Sequence, residues 1–333
     1  MNRTFATVAI GLVLAAASVP HAQQSGRDAA VAHRGMLAVV RRDGLLIPFA
    51  AFRGSHWSAP WPAGTRGLEL PADFSSIPGD WWNDDRPRTG WSLHLADGTT
   101  KPVSVTAPHI YRAFCSTRVG LVTDYTSAEP LPPPLPPPNP FPKDGLALSP
   151  DLPLSPIDTV PLTSPDVPKL LETLKPDLDK AEADTVTLIR SSVGWRHPEP
   201  ARQRNGRPVT LEAWYRAPLE DDPDWVQSYI EAVRSYPAQE HEQDCGLVTF
   251  FSGWVQQNRR DPSKNKSTIS ARVTYCDRKG VTYMLPFGRI RVDGKEHWVY
   301  QLSGFEEEWY VVARIEPRKL TFMAQVLGGF CGR

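Results

Sequence analysis

The chain contains only four cysteines, and no two of them are spaced as C-x-x-C. That excludes a zinc knuckle and a thioredoxin-type redox pair. Neither G-x-G-x-x-G nor G-x-x-x-x-G-K-[ST] occurs, so nucleotide cofactor chemistry has no local motif to rest on. The nucleophile elbow G-x-S-x-G is missing too, since Phe251-Ser252-Gly253-Trp254 lacks the preceding glycine. The histidines never fall as H-x-H, H-x-x-x-H or H-E-x-x-H. No metal and no cofactor is expected. Charge of either sign is not in excess, with Lys+Arg and Asp+Glu at 37 each. The balance also holds locally, at 13 basic against 14 acidic residues up to Pro168. No field therefore draws the protein to nucleic acid or to an anionic membrane.

Long apolar runs are scarce as well. The one candidate, Ala6 to Val19, follows Met1-Asn2-Arg3 and is rich in alanine toward its end. A single early positive charge, a short hydrophobic stretch and small residues describe a secretory signal peptide, here residues 1–22. Cleavage is expected after Ala17 or Ala22. The run falls short of the roughly 20 residues needed to span a bilayer, so no integral membrane span is expected after cleavage. The mature protein is expected to be soluble and either secreted or periplasmic.

Export sets how the cysteines read. In an oxidising compartment, Cys115, Cys245, Cys276 and Cys331 imply two disulfides. Leu247 to Gln257 and Thr268 to Cys276 look like two strands joined by a loop around Asn258-Arg-Arg-Asp-Pro-Ser-Lys-Asn265. Centring a hairpin on that loop sets Cys245 across from Cys276, and leaves Cys115 to pair with Cys331. The same centring puts Val248, Phe250 and Trp254 on one face with Ile269, Ala271, Val273 and Tyr275.

With 41% apolar and 10% aromatic residues over 333 positions, the chain can bury one large core or two modest ones. The main break in composition runs from Glu129 to Pro168, with 15 prolines in 40 residues. Its centre, Pro130 to Pro142, reads as a stiff polyproline spacer. The following stretch carries Leu146, Leu148, Leu152, Leu154, Ile157, Val160 and Leu162, which suits a chain lying extended across a domain. The expected organisation is an N-terminal β-rich domain over 34–128, a proline-rich linker over 129–168, and a C-terminal antiparallel β domain over 169–333.

Within these parts the signal is nearly all strand. Asp43-Gly44, Asp97-Gly98 and Asp293-Gly294 each stand between alternating apolar runs, as tight hairpin turns require. The last of them pairs Arg291 with Glu296, Arg289 with Trp298 and Phe287 with Tyr300. Leu170, Leu171 and Leu174 suggest a short helix interrupted at Pro176, and Thr185 to Ser191 a strand. The principal helix is expected over 224–235: Asp222 suits an N-cap, Pro223 the first helical position, and Trp225, Tyr229 and Val233 recur at i, i+4 and i+8. The fold class is mainly β (α+β), with antiparallel meanders and one principal packed helix. Short sequential hairpins exclude a parallel α/β sheet.

Two patches carry the candidate chemistry. Glu240-His241-Glu242-Gln243-Asp244 is the densest titratable cluster, and Glu240, His241, Glu242 and Asp244 are the acid/base candidates. A polar loop entering a strand explains the same residues. Eleven tryptophans include Trp57, Trp61, Trp81, Trp82 and Trp91 within a short span rich in Asp and Asn. Indole faces beside carboxylates and amides suit a sugar-binding surface, and core packing is the competing reading. The basic run Arg259-Arg260 with Lys264 and Lys266 could meet an anion, or be a solvated hairpin tip.

The expectation is an exported, non-catalytic binding or interaction protein of the envelope or extracellular space, with a glycan as first ligand and an envelope protein as another partner. The rival is a secreted hydrolase acting on polysaccharide or peptide. A third reading is a protein-interaction module using the proline-rich segment or exposed strand edges.

Overall fold

In the computed structural model, the described residues are 34–59, 90–131, 141–149, 152–238 and 246–331. They build three antiparallel sheets and one main helix, a β-rich α+β fold.

The first sheet holds β1 (Arg34–Arg41), β2 (Leu45–Arg53), β3 (His56–Ser58), β4 (Trp91–Leu95), β5 (Thr100–Val103), β6 (Val105–Ala113), β7 (Ser116–Thr123) and β8 (Lys143–Ser149). Their order is β5-β4-β8-β1-β2-β7-β6, with β3 added on β2. The strands at the two ends of this path, β5 and β6, are separated in sequence by Ser104 alone. The sheet must therefore curl until its ends meet. Ser104 and Asp124 extend the β6–β7 ladder with two hydrogen bonds, Asp124 N–H to the Ser104 carbonyl at 3.1 Å and Ser104 N–H to Asp124 Oδ1 at 2.8 Å. The space enclosed is apolar, filled by Met36, Ala38, Val40, Leu46, Trp91, Leu93, Val103, Leu121 and Ala147. At the β1–β2 turn Gly44 has φ of +80°, and a Cβ there would lie 2.7 Å from the Tyr125 carbonyl oxygen. Only glycine meets both demands.

The second sheet runs β10 (Asp158–Thr159), β11 (Thr210–Pro218), β12 (Trp225–Ser235), β13 (Leu247–Asn258) and β14 (Lys266–Tyr275). The third runs β18 (Lys319–Phe330), β17 (Glu307–Glu316), β16 (Lys295–Gly304), β15 (Thr282–Val292) and β9 (Leu154–Ser155). Two helices complete the list, α1 (Asp166–Val193) and the short α2 (Ala201–Gly206). The third sheet is covered on both faces. Tyr310 and Val312 pack with Leu37, Phe49 and Leu148 of the curled sheet, while Val311, Ala313 and Ile315 pack with Trp225, Tyr229 and Trp254 of the second. The other face of the second sheet, with Trp214, Ile230, Ala232, Phe251 and Val255, is covered by Leu170, Leu174 and Leu178 of α1. The layers are thus curled sheet, sheet, sheet, helix.

The proline-rich stretch is woven into this stack. It supplies β8 between β1 and β4, β9 beside β15 and β10 beside β11, one strand to each sheet. Its centre, 132–140, lies outside the described residues.

Several expectations are corrected. The segment expected as the principal helix, 224–235, is strand β12. A spacing of four places Trp225, Tyr229 and Val233 on one side of a strand as well as of a helix, because four is also a multiple of two. Every residue from Trp225 to Arg234 is buried, which suits a central strand covered on both faces. Asp222 caps no helix; its carbonyl accepts from Trp225 N–H at 2.9 Å and its Oδ1 from Asp224 N–H at 3.3 Å, an Asx-type turn into the strand. The principal helix is instead α1. It passes through Pro176, which is exposed, so water can reach the carbonyl whose amide partner proline lacks. It also absorbs Thr185 to Ser191, whose β-branched residues suggest a strand by pattern alone.

The β13–β14 hairpin differs by one residue from its expected register. Leu247 faces Tyr275 and Phe251 faces Ala271. Phe251 and Val255 therefore share the helix side with Ile269 and Ala271, and Val248, Phe250 and Trp254 point to the third sheet. A one-residue slip exchanges faces, and with both faces apolar the pattern alone does not choose between them. The β15–β16 hairpin pairs Arg291 with Glu296 and Arg289 with Trp298, as expected. Pro286 rather than Phe287 faces Tyr300, because a bulge falls between Pro286 and Gly288.

Cys115 and Cys331 form a disulfide that ties the β6–β7 turn to the end of β18. Cys276 is also disulfide-bonded, and its expected partner Cys245 lies outside the described residues. Among the described residues no helix is long and apolar enough to cross a membrane.

Candidate functional site

The expected site residues divide into two groups. Glu240, His241, Glu242 and Asp244 lie outside the described residues, as do Trp61, Trp81 and Trp82. Trp57 and Trp91 are described, and both are core. Trp57 sits between Phe52 and His297 with ring centroids 5.1 and 5.2 Å away, and Trp91 fills the curled sheet. Neither indole presents a face to solvent, so these two do not form the expected sugar platform. Among the described residues no group of three His, Cys, Asp or Glu side chains could hold a metal ion.

Three buried polar clusters stand out. Beneath α1 the Glu182 carboxylate is fully buried and accepts from Arg234 at 2.7 Å, Arg204 at 3.3 Å, Thr249 at 2.6 Å and the Tyr236 hydroxyl. Arg234, also fully buried, reaches Asp179 at 2.6 Å. His197 packs edge-on against Tyr236 with ring centroids 4.5 Å apart, and burial followed by the nearby Arg204 charge lowers its pKa. Between the curled sheet and the third sheet, buried Lys143 pairs with Glu308 at 2.6 Å, and Tyr310 donates to the second carboxylate oxygen. Burial pulls the Lys143 ammonium below its ordinary range, against the opposing pull of Glu308. Every charge in these two clusters is paired, as burial demands.

The third cluster is different. Glu231, on β12, has no cationic partner among the described residues; its carboxylate accepts the Met284 amide at 2.5 Å. Burial raises its pKa to about 7. Its cross-strand neighbour Ser252 lines a cavity of about 300 Å³ shared with Ser270, Arg272 and Glu307. Glu231 itself is 3% exposed and is not part of that lining.

The larger concavity, about 450 Å³, opens where α1 begins. Trp214 and Arg216 on β11, Val226 on β12 and Gln257 on β13 lie on the helix-facing side of the second sheet, and they line the cleft together with the first two turns of α1. The β13–β14 loop forms the remaining wall. That loop is held by its asparagines: Asn258 Oδ1 accepts from Arg260 N–H at 3.1 Å and Asp261 N–H at 2.8 Å, while Asn265 Oδ1 accepts from Asn258 N–H at 2.8 Å. These bonds close the turn between β13 and β14, and they present Asn258, Arg259 and Asn265 to the cleft.

The basic loop is legible in the sequence and the cleft is not. Its lining comes from residues 166–173, 214–226 and 257–265, which only the sheet order and the position of α1 bring together. No protein-family model, curated protein or solved structure matches this chain.

Proposed function

We propose that the protein is an exported, non-catalytic binding protein, with a glycan as its ligand at the helix-end cleft. The signal-like N-terminus and the disulfide chemistry favour export. The observation that carries the reading is the cleft itself: a concave surface of about 450 Å³ that joins an indole, three amide side chains and three cationic side chains. That volume is within the usual range for small-ligand sites. Amides and guanidinium groups address sugar hydroxyls and ring substituents, and a short apolar patch of Leu170 and Val226 offers contact to C–H groups.

The test is co-sedimentation of the mature protein with a panel of insoluble polysaccharides and peptidoglycan, while soluble sugar is assayed in the supernatant. Retention without release, abolished by Asn258→Ala with Gln257→Ala, supports the reading. Release of sugar would replace it with the secreted hydrolase, and direct attention to Glu231 and the smaller cavity.

A further inference from the structure

Resting on that reading, we infer that the helix-end cleft selects an oxyanion, the carboxylate or sulfate group of an acidic glycan. The inventory of donors and acceptors carries the inference. Among the twelve lining residues the basic side chains are Lys169, Arg216 and Arg259, and the single acid is Asp166. Asp166 spends its charge on Lys169, 3.8 Å away, in an exposed pair. Of the acids outside the lining, Asp224 pairs with Arg260 at 2.9 Å and Asp261 with Lys264 at 3.4 Å, while Asp158 stands across from Arg216 on β10. Arg216 lies over the Trp214 ring at 5.4 Å and makes no ion pair among the described residues, and neither does Arg259.

The amides add to the imbalance. The side-chain oxygens of Asn258 and Asn265 are both taken by backbone N–H groups, so what these residues turn to a ligand is their NH2. A buried donor lies in the lining as well. Trp214 is 4% exposed, and its Nε1 has no hydrogen-bond partner among the described residues, as is also true of the core Trp57 and Trp298. A buried N–H without an acceptor is costly and uncommon in a native protein. An acceptor-rich guest at this position would satisfy it. Two unpaired guanidinium groups, two outward NH2 groups and an orphan indole N–H define a site for an oxyanion rather than for a neutral sugar.

The experiment is calorimetric titration of the mature protein with a short oligogalacturonate, with its full methyl ester, and with dextran sulfate against plain dextran. The ester keeps the sugar and removes the anion; the dextran pair separates sulfate from carboxylate. Binding to either anionic probe is expected to exceed its neutral counterpart by about tenfold or more, and to weaken as salt rises. Arg216→Gln with Arg259→Gln should erase that preference, and Trp214→Phe, which keeps the ring and removes the N–H, should reduce it. Circular dichroism of each variant checks that the fold is retained. Equal binding of charged and neutral probes would overturn the inference and leave the glycan reading standing. An anion preference that survives both arginine changes would overturn the assignment to this cleft. Failure to bind any of the four probes or any polysaccharide of the wider panel would overturn both.

Discussion

The interior of the curled sheet and the layer beneath α1 are both closed cores, yet they are assembled from different chemistry. Inside the curled sheet, Met36, Val40, Leu46, Trp91, Leu93 and Leu121 meet with no charged side chain among them. Beneath α1, the apolar stripe Leu170, Leu174 and Leu178 runs directly into Glu182, which is buried with Arg204 and Arg234. Apolar contact is non-directional and tolerates small rotations, whereas a carboxylate with four donors does not. The curled sheet needs no such device, because its strands are already fixed by ladder hydrogen bonds. A helix lying on a sheet has none, and here the buried ionic node sets its rotation and its position along the strands. The cleft inherits that precision, since α1 contributes the wall that begins sixteen residues before Glu182, about 24 Å along the axis.

The comparison can be broken most severely at the node. Glu182→Ala leaves Arg204 buried without a carboxylate and Arg234 with Asp179 alone, and should cost about 3–5 kcal/mol of unfolding free energy in a denaturant titration. Leu121→Ala in the curled sheet should cost about 3 kcal/mol, through a cavity rather than a stranded charge. The two should differ in character: the first loss should vary with pH as the remaining groups titrate, and the second should not.

Glu231 sharpens the contrast in the opposite direction. Its pKa is raised from 4.5 to about 7 by burial, so the fold favours its protonated form. Its effect on stability is neutral below about pH 4, and turns increasingly unfavourable as pH rises through 7. Glu231→Gln should therefore stabilise the protein by about 3 kcal/mol at pH 9 and by nothing measurable at pH 4, read from denaturation midpoints at the two pH values. At the low end, Arg291 pairs with Glu220 and Asp221 on the surface, with 39% of its side chain exposed. Arg291→Ala should change stability by less than about 1 kcal/mol.

The hairpins could be read from sequence because their turns make a local demand. Gly44, Gly98 and Gly294 have φ of +80°, +84° and +70°, the region that Asp-Gly pairs announce. The helix assignment failed for an equally physical reason: apolar residues four apart satisfy both periods, and only neighbours distant in sequence decide between them. The true helix was masked by Pro176 and by the β-branched residues near its end, both tolerated once Leu170, Leu174, Leu178 and Glu182 had a sheet to lie on. The weaving of β8, β9 and β10 into three sheets could not be inferred from proline content, because Leu146 and Leu148 find their burial only between strands from either side. Of the candidate site, Arg259 and its loop were visible. Trp214 and Arg216, more than forty residues upstream, were not, since the alternation of β11 says nothing about which part of its face α1 leaves open.

The most direct test of the cleft is the indole N–H spectrum of the ¹⁵N-labelled mature protein during addition of oligogalacturonate. Eleven tryptophans contribute, and the Trp214 signal is identified by its loss in Trp214→Phe. The account predicts that this resonance moves downfield and saturates with the calorimetric isotherm, while Trp91 inside the curled sheet stays in place. A stationary Trp214 signal under saturating oligogalacturonate would contradict it.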